Sequence, residues 1–218
     1  MAQKYKVYFQ NRPVYFAQSV PPEVECLKYE AFQSRGTHDT GLIESAIAKG
    51  ARAVVVRCND VEKSWSDFVD QFEFVQAAGG LLVRPSGQML FIFRHERWDL
   101  PKGKVEDDEN LEEGAVREVE EECSLHGARI ISQLHSTWHT YIQQGIPVLK
   151  CTAWYIMLYE GNETPLPQAI EGITEARWFN PGQLDAVRRN TYPSVIDVVE
   201  NYFVSPSRIS VPDPDAAV

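Results

Sequence analysis

The chain has 218 residues, 44% of them apolar and 24% charged, with a formal net charge of −10. That is enough for one good domain core plus a smaller unit. No apolar run approaches the ~18 residues of a membrane span, and the N-terminal MAQKYKVYFQ alternates instead of forming a signal-peptide hydrophobic region; a cytoplasmic protein with no membrane partner is expected.

Taken in order, 4–9 and 14–18 are short alternating runs on either side of Asn11-Arg12-Pro13, which reads as a hairpin. A third strand is expected near 24–32. Thr40 is placed to cap a helix over 41–49, the β-branched run 53–57 suits a buried strand, and 61–74 reads as a second helix. Residues 1–75 thus form a small α/β domain of unknown role. Up to Phe74 its ten acids face nine bases, so it carries no electrostatic footprint for nucleic acid. Dimerisation, as a homodimer, or covering of a substrate is the default expectation. The four cysteines, Cys26, Cys58, Cys123 and Cys151, are scattered with no CxxC pair, which favours free thiols over disulfides or a zinc site.

Gly79-Gly80 marks the start of the second unit, with strands over 81–83 and 89–94 around a Pro85-Ser86-Gly87 turn. Then comes the most charged stretch of the chain. Ten carboxylates fall between Glu106 and Glu122, and over 103–125 only Lys104 and Arg117 oppose them, leaving −8 of the total −10. A field so concentrated collects divalent cations. Asn110 is a good N-cap, Glu113 completes a capping box, and 111–123 should be a helix. At about 100° per residue Val116, Val119 and Cys123 form a core stripe, while Glu118, Glu121 and Glu122 cluster nearly opposite. Spacing alone is equally compatible with a solvated acidic face and with a cation site.

Three further strands are predicted at 128–138, 148–160 and 176–179. His139-Thr140-Tyr141 lies between the first two, and a proline-containing loop over 162–174 precedes the third. A helical segment over 181–203, broken near Tyr192-Pro193, closes the second domain at about residue 204. The proline-rich tail 205–218 is expected to be disordered.

The residues Gly103, Glu109, Arg117, Glu118, Val119, Glu121, Glu122 and Leu125 resemble, position by position, the signature of the Nudix hydrolases. Ser124 departs from it, standing where the family has glycine. A left-handed helix stop there would cost serine about 1 kcal/mol, and Gly127 is the alternative stop. The resemblance implies a Nudix α/β/α sandwich with a mixed sheet over 76–204. It also implies Mg²⁺ or Mn²⁺ held by Glu118, Glu121, Glu122 and the Gly103 carbonyl, with a structural ion pair between Glu109 and Arg117. Glu118 or Glu171 would act as general base, Glu175 being the second candidate in that loop.

The segment WDLPKGKVE resembles the corresponding stretch of diadenosine polyphosphate hydrolases and their MutT-like relatives. By that resemblance Lys102, Lys104 and Lys150 contact phosphates and Tyr141, sixteen residues beyond Leu125, stacks on a base. The expected activity is therefore hydrolysis of a nucleoside diphosphate linked to a further group, with a dinucleoside polyphosphate or nucleoside triphosphate as substrate. An ADP-ribose or ADP-sugar pyrophosphatase and a nucleotide sensor without catalysis are the alternatives.

Overall fold

The structure, a computed structural model, describes residues 3–209. Its helices and strands are β1 (Lys4–Phe9), β2 (Arg12–Ala17), β3 (Tyr29–Gln33), α1 (Asp39–Ala48), β4 (Ala53–Arg57), α2 (Val61–Val69), β5 (Glu73–Val83), β6 (Met89–Arg94), β7 (Arg97–Asp99), β8 (Lys102–Lys104), α3 (Leu111–Cys123), β9 (Arg129–Gln133), β10 (Thr137–Gln143), β11 (Ile146–Leu158), β12 (Ile173–Phe179), α4 (Leu184–Arg188) and α5 (Pro193–Val204). They divide into two compact units. The first holds the residues up to Val75 together with Thr137–Cys151, the second Gln76–Ser136 together with the residues from Thr152 onward.

In the first unit the strand order is β10-β1-β2-β4-β3. The β1–β2 hairpin turns on Gln10 and Asn11, both at positive φ (50° and 59°), a two-residue geometry matched to strand twist. β2 then runs parallel to β4, β4 parallel to β3, and β1 parallel to β10. Ile43 of α1 and Trp65 and Phe68 of α2 pack on Val7, Val14, Phe16, Val54 and Val56. α2 stops at Val69 instead of continuing to residue 74, because 73–83 is drawn into β5. The hairpin of β10 and early β11, which sequence reading placed in the second domain, belongs to this unit.

In the second unit β12-β6-β5-β11 are neighbours, with β7 on β6, β8 on β5 and β9 on β11. Strand alternation sends side chains to two faces. Leu81, Val83, Met89 and Phe91 meet Leu184 and Val187 of α4 and Val195, Val198 and Tyr202 of α5. Ala78, Leu82, Leu90 and Ile92 meet Ala115, Val119 and Cys123 of α3. Helices on both faces make the expected α/β/α arrangement.

β5 runs unbroken through Gly79-Gly80, where the sequence suggested a boundary. A Cβ at Gly79 would overlap the Pro101 carbonyl and Lys102, and one at Gly80 would overlap the Met157 thioether. The predicted strand over 128–138 is two strands, interrupted where the Leu134 N–H donates to the Trp154 carbonyl at 2.8 Å and the His135 N–H to Asn201 Oδ1 at 3.1 Å. After α5, Ile209 packs against the core and the Arg208 guanidinium lies 4.9 Å over the Phe203 ring. The rest of the tail expected to be disordered, 210–218, lies outside the described residues.

Candidate active site around the acidic helix

α3 begins with the capping box. Asn110 Oδ1 accepts from the N–H groups of Glu112 (2.9 Å) and Glu113 (3.0 Å), and Glu113 Oε2 accepts from the Asn110 N–H at 3.1 Å. The helix stops at Ser124 itself, in left-handed geometry (φ 51°, ψ 39°), its N–H donating to the Glu120 carbonyl at 2.8 Å. Gly127 does not replace it as the stop; serine takes the strained conformation. Ala115, Val119 and Cys123 form the buried stripe, with Val116 only partly buried. Glu118 and Glu122 are also buried, at 6% and 0% exposure, so the acidic side of α3 is not a solvent face. Glu121, the third carboxylate of the predicted cluster, stays half exposed.

What buries them is β8. A Cβ on Gly103 would collide with the Glu118 carboxylate, so only glycine lets this strand approach so closely. Arg117 then locks the preceding loop to the helix. Its Nε and Nη2 donate to Glu109 at 3.0 and 2.6 Å, its Nη2 to the Lys104 carbonyl at 3.0 Å, and its Nη1 to Glu118 at 2.9 Å and Glu121 at 3.1 Å. The guanidinium pulls the Glu109 carboxyl below its usual pKa. At Glu118 burial outweighs the same arginine and raises the pKa.

The second carboxylate is held differently. Glu122 Oε2 accepts from the Lys102 backbone N–H at 2.8 Å, and Oε1 lies 3.4 Å from Arg94 Nη1. The same nitrogen is 3.2 Å from Glu171 Oε2, so Arg94 bridges Glu122 to Glu171. Burial pushes the Glu122 carboxyl up to about 7, against the pull of Lys102 and Arg94. The Lys102 ammonium is turned to Asp99, 2.5 Å away. Although burial works against it, Asp99 and Glu122 hold its pKa above normal.

Of the residues expected from sequence, Gly103, Glu109, Arg117, Glu118, Glu121, Glu122, Lys102 and Glu171 thus come together around α3 and β8. Lys104 is exposed and contributes its carbonyl to Arg117. Tyr141, on β10, and Lys150, on β11, belong to the other unit. Glu175 pairs with Arg177 at 3.3 Å instead. Sequence reasoning missed Arg94 and Asp99. No local pattern marks Arg94, which gains its role from carboxylates brought to it by the fold; Asp99 lies three residues before its partner Lys102.

Among the described residues no three His, Cys, Asp or Glu side chains group together as a metal cluster. The protein's own cations, Arg117 and Arg94, take up the carboxylate oxygens. The donor set nevertheless fits a hard divalent cation, since it offers only oxygens. Two of its carboxylates are buried with raised pKa values, so a further positive charge would be favourable there.

Residues 73–201 match the model of the NUDIX domain. Over 113 residues the chain is 32% identical to a Mycobacterium tuberculosis (strain CDC 1551 / Oshkosh) protein named for the mutator MutT4, a match covering 47% of this chain and 44% of that relative. The chain thus spans less than half of that relative's length. Among solved structures, a NUDIX hydrolase from Nitrosomonas europaea is similar at 19% identity, with a TM-score of 0.47, over 60% of this chain and 89% of that one. An Ap4A hydrolase from C. elegans is similar at 18% identity and a TM-score of 0.46, over 59% and 95%. With the domain match covering more than half of its length and the signature residues gathered on one helix and one strand, the chain belongs to the NUDIX family.

Proposed function

We propose that this protein is a metal-dependent pyrophosphohydrolase that cleaves a nucleoside diphosphate linked to a further group, by attack of water on phosphorus. The observation that carries this reading is the pair of buried carboxylates, Glu118 and Glu122, held against β8 on a capped helix with Arg117 locked across it. Burying two anions costs several kcal/mol unless a cation compensates them, and an acidic helix with no chemical task would leave them in water. Glu118, Glu121, Glu122 and the Gly103 carbonyl would hold Mg²⁺ or Mn²⁺. Such an ion, when bound, neutralises phosphate oxygens and makes a water more acidic.

The chain's own residues do the rest. Arg117, by fixing Glu109 and the Lys104 carbonyl, positions Gly103 against α3. Glu118 or Glu171 accepts the proton from the attacking water, and the raised pKa of Glu118 makes it a stronger base than an ordinary carboxylate. The Lys102 ammonium is paired with Asp99, with a donor left for a substrate phosphate, whereas the Lys104 side chain is exposed.

The substrate proposed is a dinucleoside polyphosphate or nucleoside triphosphate, supported by the WDLPKGKVE segment and by the resemblance that assigns a base to Tyr141 and phosphate to Lys150. Purified protein with Mg²⁺ should hydrolyse diadenosine tetraphosphate or nucleoside triphosphates faster than ADP-ribose. A clear preference for ADP-ribose, measured side by side, would overturn the substrate while leaving the reaction class. Tyr141→Ala should raise KM about 5- to 100-fold with kcat kept, as expected for loss of one stacked base.

A further inference from the structure

Two arginines touch the carboxylates of this site, and they are held in different ways. Arg117 engages through all three of its nitrogens, at 2.6 to 3.1 Å. Arg94, the last residue of β6, reaches its two carboxylates through Nη1 alone, at 3.4 Å for Glu122 and 3.2 Å for Glu171. Charge-assisted bonds of this kind run to about 2.7–2.9 Å, so both are long. Its Nε is buried without a hydrogen-bond partner. One arginine is a fixed strut; the other is loosely seated and has little to lose by moving.

The Glu122 carboxylate and the backbone that carries Glu171 are anchored independently of it. Glu122 has no exposed surface and keeps its bond from the Lys102 N–H. Glu171 closes a loop fastened to the end of α3, where the Leu166 N–H donates to the Cys123 carbonyl at 2.9 Å and the Gln168 N–H to the Glu122 carbonyl at 3.1 Å. If the guanidinium leaves, the Glu122 carboxylate and the Glu171 loop backbone therefore stay in place, and Glu122, fully enclosed, gains from another cation.

We propose that Arg94 is an exchangeable counter-cation, neutralising Glu122 and Glu171 in the metal-free protein and withdrawing from them when a divalent cation binds, so that it sets the metal concentration at which the site fills. This rests on the reading of Glu122 as a metal ligand. A guanidinium and a divalent ion drawn to the same carboxylates repel each other, so occupancy by one lowers the affinity for the other. Arg94 is on this view a positioning residue, acting through the two carboxylates.

The test is Mn²⁺ binding by titration calorimetry, with thermal melts of the metal-free and Mn²⁺-saturated full-length protein, for wild type, Arg94→Gln, Arg94→Lys and Glu122→Gln. Arg94→Gln should bind Mn²⁺ about tenfold tighter, as expected from removing one nearby positive charge at a partly solvated site. Its metal-free form should melt below wild type, and the gap should close at saturating Mn²⁺. Arg94→Lys, which keeps the charge, should stay within about threefold of wild-type affinity.

Unchanged or weaker Mn²⁺ binding by Arg94→Gln, or a melting gap that persists undiminished at saturation, would overturn the exchange and make Arg94 a fixed strut. If Arg94→Gln does not fold, the wild-type Arg94 Nε–H resonance, assigned by its loss in Arg94→Lys, decides. It should shift on Mg²⁺ titration, and a signal unmoved at saturation would overturn the proposal. Glu122→Gln separates the two failures. Wild-type Mn²⁺ affinity in that variant would sink the metal-site reading itself, whereas its loss there combined with no change in Arg94→Gln would sink the exchange alone.

Discussion

Glu122 is completely buried, and its carboxyl titrates at about 7 because burial penalises the charged form more than Lys102 and Arg94 favour it. A carboxyl whose folded pKa lies above its unfolded value binds more protons when folded. The stability it contributes is fully present below the ordinary carboxylate range and is lost as pH rises through about 7. The metal-free protein should therefore melt at a lower temperature at pH 8 than at pH 5.5, and Glu122→Gln should flatten that slope while abolishing turnover by several orders of magnitude. Near-full activity in Glu122→Gln would remove it from the site. Arg117→Ala acts on both fold and chemistry. It strands Glu109 and frees the Lys104 carbonyl, at a cost of about 1–3 kcal/mol, so melting temperature and kcat should fall together. Ser124 is the opposite case. It is exposed and holds a left-handed conformation at φ 51°, so Ser124→Gly should stabilise the protein by about 1 kcal/mol, a rise of roughly 2–4 °C, with activity unchanged.

At the scale of elements, the site depends on one helix and one three-residue strand. α3 starts where it does because Asn110 and Glu113 satisfy its first N–H groups, and Asn110→Ala should cost about 0.5–2 kcal/mol in a denaturant melt. Two glycines set how closely β8 lies to its neighbours, and their substitution separates fold from chemistry. At Gly79 an added methyl would meet backbone, the Pro101 carbonyl, as well as Lys102. Backbone cannot move aside cheaply, so Gly79→Ala should lower stability by a few kcal/mol. At Gly103 the methyl would meet the Glu118 carboxylate, the movable end of a side chain. Gly103→Ala should therefore displace that carboxylate, losing most activity and Mn²⁺ affinity for a smaller loss of stability; equal damage from both substitutions would contradict this division.

For the whole molecule the relevant quantity is a net charge of −10, of which −8 lies in 103–125. Self-repulsion of that kind is relieved weakly by monovalent salt and strongly by a bound divalent ion. Mg²⁺ at about one hundred times its dissociation constant should add about 2.7 kcal/mol of stability over sodium chloride of equal ionic strength, and the difference should vanish in Glu122→Gln. Much of this was legible in the chain alone. Capping residues, helical periodicity and a signature of fixed spacing are local properties, so the sequence by itself determined where α3 begins, which residues are Nudix-like, and that acids and arginine would meet there. Tertiary structure decided the rest. Helical spacing can tell that Glu118 and Glu122 share a side of α3, but only the packing of β8 makes that side buried. No neighbouring residue in the chain marks Arg94, because it is paired with a helix and a loop 28 and 77 positions away, whereas Asp99 meets a lysine three residues on that the sequence assigns to a substrate phosphate. The run of β5 through Gly79-Gly80 and the placing of 137–151 in the first unit were likewise set by long-range approach and strand pairing, interactions that composition and periodicity do not encode.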